Sequence, residues 1–80
     1  MQFLERRLKM DECKLLRDFG RNLKDLLRDS CMGQRELSEI TGINESTICR
    51  YIAGSTMPSL ANVVRIMLAL ECSFEDLVDF

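Results

Sequence analysis

Between Gly42 and Gly54 the chain reads GINESTICRYIAG. Glu45, Ser46, Cys49 and Arg50 recur there at three- and four-residue steps, so a helix would present all four on one face. Ile48, Tyr51 and Ile52 fall on the other face. A carboxylate accepts hydrogen bonds, a guanidinium donates them in a planar fork, and a hydroxyl does both. A short helix with one face for packing and one for hydrogen bonding is suited to reading a polar surface. Chemistry of the catalytic kind is not expected. The chain has no His, no glycine-rich phosphate loop, and no nucleophile with an evident base.

The elements that would position this row all read as helix. Val and Ile never alternate as they do in strands, and no Asn-Gly or Asp-Gly hairpin turn occurs. From Leu15 onward Leu16, Phe19, Leu23, Leu26 and Leu27 form one apolar face of a helix ending near Ser30. Gly20 interrupts it at a cost of about 1 kcal/mol against Ala, which implies that something packs closely there. QRELSEIT follows, with Leu37, Ile40 and Ser38 expected inward and Gly42 as a left-handed end. Asn44 is expected to cap the next helix, which stops at Gly54. After the loop GSTMP, Ser59 caps LANVVRIMLALE, whose apolar residues nearly circle the helix and so place it at the centre of the bundle. Ser73 caps FEDLVDF, with Asp76 as a capping-box partner. Residues 1–11 read as an extension. Phe3, Leu4 and Leu8 share a helical face, as a prolonged first helix or as a dimer contact.

Eighty residues make one small domain, and the 46% hydrophobic content is ample for a folded core. No apolar run reaches membrane-spanning length and no signal peptide opens the chain, so a cytoplasmic protein is expected. Cys13, Cys31, Cys49 and Cys72 are widely spread without a C-x-x-C pair. They read as small apolar fillers rather than metal ligands or disulfide partners. No metal, cofactor or small-molecule substrate is implied. The net charge is −2 and uneven: residues 1–30 carry eight basic and six acidic side chains, residues 31–80 three and seven.

Two short helices joined by TGIN suggest a helix-turn-helix. Leu37 anchors the first, Ser38 is small where the second crosses, Gly42 tolerates positive φ, and Ile43, Ile48 and Tyr51 point inward. On these residues, and on Gln34, Gly54, the Pro58-Ser59-Leu60 step and the closing LALECSFEDL, the sequence over roughly residues 15–80 resembles the phage-repressor and Cro-like (XRE) family. The resemblance implies an all-α, five-helix, lambda-repressor-like bundle over residues 12–80. Its second helix would span about 34–41 and its recognition helix about 45–53. It also implies sequence-specific binding of an operator in double-stranded DNA, in most members as a dimeric repressor.

Three departures are visible. Gly33 stands where Thr or Ser often caps the second helix. Ser38 replaces a common Ala, so its hydroxyl needs a partner. Leu27 and Ile52 occupy slots that commonly hold an Arg–Glu ion pair, and exchanging both partners for apolar groups is tolerated. A contact between Leu27 and Ile52 is therefore expected.

Carried over slot by slot, the base-contacting residues are Asn44, Glu45, Ser46, Cys49 and Arg50. Arg50 suits the O6 and N7 acceptors of guanine, or else a phosphate or a surface ion pair. Glu45 suits a cytosine amino group, or simply complements the helix dipole. Phosphate candidates are Gln34, Arg35, Thr47, Arg28, Gly54, Ser55 and Thr56. Dimerisation candidates are Phe74, Leu77, Val78 and Phe80. The rival reading is a protein-interaction module on the same scaffold, such as an antitoxin or adaptor, which the acidic C-terminal half and the apolar ends favour.

Overall fold

The computed structural model describes residues 11–78. The expected extension lies outside the described residues, apart from Asp11, and so does Phe80. Among the described residues the fold is all-helical: α1 (Glu12–Asp29), α2 (Gln34–Thr41), α3 (Glu45–Ala53), α4 (Leu60–Leu70) and α5 (Phe74–Leu77). α1 starts before Leu15 because Asp11 caps it, accepting the Lys14 N–H at 3.1 Å. It ends on a left-handed Cys31. There Met32 N–H donates to the Leu27 carbonyl at 2.9 Å and Cys31 N–H to Arg28 at 3.1 Å, the paired bonds of a Schellman end. Ser59 caps α4 by accepting the Asn62 N–H at 3.1 Å, and Asp76 accepts the Ser73 N–H at 2.9 Å.

The core is one cluster. Leu23, Leu37, Ile48, Ile66 and Leu77 are fully buried, with Phe19, Leu27, Ile43, Tyr51, Val63 and Val78 around them. Ile52 packs against this cluster from its edge. α1 lies directly on the end of α3. A Cβ added to Gly20 would overlap the Tyr51 carbonyl oxygen and sit 2.5 Å from that of Ile52, so only glycine fits the crossing. The Phe19 and Tyr51 rings meet edge to face there, with centroids 5.9 Å apart. Two side-chain amides tie the remaining helices on: Asn22 donates to the Leu77 carbonyl at 3.0 Å, and Asn62 to the Tyr51 hydroxyl at 2.9 Å.

Several expectations are corrected. α4 does not run through the centre. Val63 and Ile66 are buried, but Leu60 is 79%, Val64 44% and Leu68 74% exposed. A helix in so small a bundle is covered along one stripe, and among the described residues nothing lies over the other side. Ile40 is likewise 55% exposed, because Leu37 alone fills the inward slot of α2. Three of the four cysteines are not fillers: Cys13, Cys31 and Cys49 are exposed, while Cys72 is half-buried and packs against the core cluster as expected. Leu77 and Val78 belong to the core, so neither is free to serve as a dimer contact. Phe74 does remain exposed.

One buried charge escapes a reading built on hydrophobic periodicity. Asp18 on α1 is 5% exposed. Its carboxylate receives Lys14 Nζ at 2.6 Å and an Arg21 guanidinium nitrogen at 3.2 Å. The Lys14 hydrogen bond holds the Asp18 carboxyl below its ordinary value against the opposing effect of burial, and the charges of Lys14, Arg21 and Arg17 add to the lowering.

Two outcomes follow from this packing. Gly20→Ala should destabilise the domain by about 1–3 kcal/mol or more, since backbone carbonyls cannot yield as a flexible side chain would. In thermal melts that is a loss of about 4–8 °C per kcal/mol for a domain this size. Asp18→Asn should be less stable than wild type at neutral pH. A carboxylate with a depressed pKa contributes its stability above the unfolded-state value and loses it as pH falls through the folded one. The gap between the two melting curves should therefore close below about pH 4.

Candidate nucleic-acid interface

The α2–α3 unit is built around a closed turn. Leu37 and Ile48 are fully buried and Ile43 nearly so, which fixes the two helices against each other. Between them Gly42 takes φ 78°, and its N–H donates to the Ser38 carbonyl at 2.8 Å. The Ser38 hydroxyl finds the partner it needs in the Ile43 carbonyl, at 2.5 Å. The Thr41 hydroxyl donates to the Leu37 carbonyl at 2.7 Å and accepts the Ile43 N–H at 3.2 Å. Thr41 was missed at the sequence level, although a Thr just before the turn glycine is well placed to bond back along its helix.

α3 starts at Glu45 with Asn44 as its cap residue. The Asn44 carbonyl accepts the Ile48 N–H at 3.1 Å and the Thr47 N–H at 3.0 Å. Its side chain makes no capping bond, contrary to expectation. The helix ends at Gly54, with φ 73°. Ser55 closes that end: its N–H and its hydroxyl both donate to the Arg50 carbonyl, at 3.1 and 3.2 Å.

Between these ends Ile48 and Tyr51 face the core, while Glu45, Ser46, Cys49 and Arg50 are all exposed. None of these four side chains has a hydrogen bond or ion pair among the described residues. Glu45 lies in the first turn and Arg50 in the last, each at the end where the helix dipole favours its charge. Thr47 is half-buried on the flank.

The phosphate candidates divide. Gln34, half-buried, opens α2 behind Gly33, which offers no side-chain cap. The first N–H groups of that helix therefore keep their anion-binding character. Arg35 is exposed and unpaired. Arg28 is exposed but already pairs with Asp25 at 3.0 Å, with Asp29 at 4.0 Å. Gly54, Ser55 and Thr56 form the loop directly after α3, with Ser55 exposed and Thr56 half-buried. Among the described residues no cluster of His, Cys, Asp and Glu could hold a metal ion, and no helix is long and apolar enough to cross a membrane.

Comparison with known proteins bears on this geometry. Residues 22–80 match the family model of the Cro/C1-type HTH DNA-binding domain. The fold is similar to that of the restriction-modification controller protein C.AhdI from Aeromonas hydrophila, with a TM-score of 0.74 and 26% identity over 78% of this chain and 94% of that one. It is also similar to an HTH_3 family transcriptional regulator from Vibrio cholerae, with a TM-score of 0.78 and 19% identity over 84% of this chain and 38% of that one. The second likeness is one of fold. No curated protein matches the chain. The family is one of DNA-binding domains rather than enzymes. With its two short helices, closed turn and buried Leu37, Ile43 and Ile48, the chain belongs to the Cro/C1-type helix-turn-helix DNA-binding family.

Proposed function

We propose that this protein is a sequence-specific transcriptional regulator, of repressor type by the family resemblance, that binds an operator as a dimer with α3 in the major groove. The observation that carries the reading is the row of Glu45, Ser46, Cys49 and Arg50: exposed, without internal partners, and held on a helix whose other face is core. Polar side chains left unengaged in this way are free to exchange water for base edges. Arg50 donates to guanine O6 and N7, and Glu45 accepts from a cytosine amino group and repels misplaced phosphate. Asn44, Ser46 and Cys49 complete the face. Gln34 with the α2 N-terminus, Arg35, Thr47 and the Gly54–Thr56 loop hold the backbone, and Arg28 joins them by exchanging its carboxylate partners for phosphate.

Dimerisation is supported by surface rather than by charge. Leu60, Val64 and Leu68 recur every four residues along exposed α4. The row is symmetric about Val64, so a two-fold axis there would set Leu60 of one copy against Leu68 of the other, as a self-complementary contact requires. Phe74 and Met57 extend the apolar surface beside Leu60. With 11 basic against 13 acidic side chains, a single copy has little bulk attraction for DNA, and two linked recognition helices compensate.

Selection from a random duplex library at low salt, with wild type and Arg50→Ala in parallel, tests the reading. Wild type should enrich a palindrome with half-sites about one helical turn apart. Arg50→Ala should lose about 1–3 kcal/mol of discrimination at one base pair. No enrichment by wild type would transfer the assignment to a protein-interaction module. Separately, the double variant Leu60→Glu with Leu68→Glu should keep its fold, since both side chains are exposed, yet sediment as a monomer and bind the palindrome more weakly. Unchanged sedimentation would remove α4 as the dimer surface.

A further inference from the structure

Arg17 on α1 belongs to none of the groups assigned above. Its side chain is exposed and has no hydrogen bond or ion pair among the described residues. The basic neighbours one turn away differ in this respect, because Lys14 and Arg21 are both drawn onto the Asp18 carboxylate. Two cations already contact that carboxylate, and Arg17 acts on it through its charge alone, so its guanidinium donors remain unengaged.

Its position gives that charge a use. A Cβ placed on Gly54 would stand 3.3 Å from the Arg17 Cα and 3.5 Å from its backbone nitrogen. Arg17 therefore sits against the C-terminal end of α3, beside the loop of Ser55 and Thr56. That end carries the negative pole of the helix. The Ser55 N–H and hydroxyl both donate to the Arg50 carbonyl, so what this loop offers a phosphate is neutral, and Arg17 adds a full positive charge beside it. α3 has nine residues and is about 13 Å long, against a major groove about 12 Å wide. When its N-terminal half lies over the bases, its C-terminal end stands back at the rim, where the phosphates run.

We propose that Arg17 grips a DNA phosphate at the C-terminal end of α3, as the counterpart of Gln34 and the α2 N-terminus on the other side of the recognition unit. This rests on the DNA-binding reading above. α1 thereby does more than pack: Asp18 draws in the cations on either side of Arg17 along the helix, and the Gly54 contact brings Arg17 to the edge of the interface.

The test measures duplex affinity by fluorescence anisotropy over a series of salt concentrations for wild type, Arg17→Gln, Arg17→Lys, Arg50→Ala and Arg65→Gln. Two duplexes are used: the one enriched by wild type and a scrambled one. Arg17→Gln should flatten the dependence of log Kd on log salt by about 0.9. It should weaken both duplexes alike, because a phosphate contact carries no sequence information. Arg17→Lys should restore most of the slope. Arg65→Gln, on α4, should leave it unchanged, and the melting curve of Arg17→Gln should match wild type. A wild-type slope in Arg17→Gln would overturn the proposal. If Arg50→Ala still lost its preference for the enriched duplex, the DNA-binding reading would survive that result. A wild type whose binding to both duplexes is absent or insensitive to salt would overturn both.

Discussion

The structure depends on one close approach, that of α1 to the last turn of α3 across Gly20. Backbone carbonyls of Tyr51 and Ile52 lie where a side chain of residue 20 would begin. At that separation α1 itself forms the floor beneath α3, and the orientation of α3 is set by backbone packing rather than by adjustable side chains. The edge-to-face meeting of Phe19 and Tyr51 and the hydrogen bond from Asn62 to the Tyr51 hydroxyl then fix α4 to the same point. Tyr51 is thus where three helices meet. The proposed presentation of four side chains in register to a groove needs such rigidity, because a small rotation of the helix would displace all of them together.

Much of this architecture was legible. The three- and four-residue spacing of Phe19, Leu23 and Leu27, the glycines at 42 and 54, and the inward set of Leu37, Ile43 and Ile48 each reflect a rule of local geometry, and the fold obeys them. Gly20 was also readable as a close contact, though its partners were not, since they lie some thirty residues away in the chain. α4 was misjudged for a related reason. Its sequence is apolar on nearly every side, and periodicity cannot distinguish a helix buried all round from one that keeps an apolar face uncovered. Only the number of neighbouring elements decides that.

The polar interactions were legible in part. The need of the Ser38 hydroxyl for a partner followed from its type, and the Ile43 carbonyl meets it. The cluster of Lys14, Asp18 and Arg21 shows ordinary helical spacing, but such spacing usually marks an exposed pair of little consequence. What separates Asp18 is burial, which depends on tertiary packing. The amide bonds of Asn22 to the Leu77 carbonyl and of Asn62 to the Tyr51 hydroxyl join distant segments and leave no local signature. Leu77 was misassigned to the surface for the same reason: the chain pattern marks it as apolar, while its place under Asn22 and the core cluster emerges only on folding.

The exposed face of α3 is the proposed recognition surface and that of α4 the proposed self-association surface, on two different helices of one small core. The role of α3 is best tested by titrating the isotopically labelled protein with duplex DNA and following backbone amide resonances. The predicted result is that amides of residues 44–50, together with those of Gln34 and Arg35, shift the most, while those of Val63 and Ile66 in the core move little. Large shifts confined to α4 and α5, with α3 silent, would contradict it.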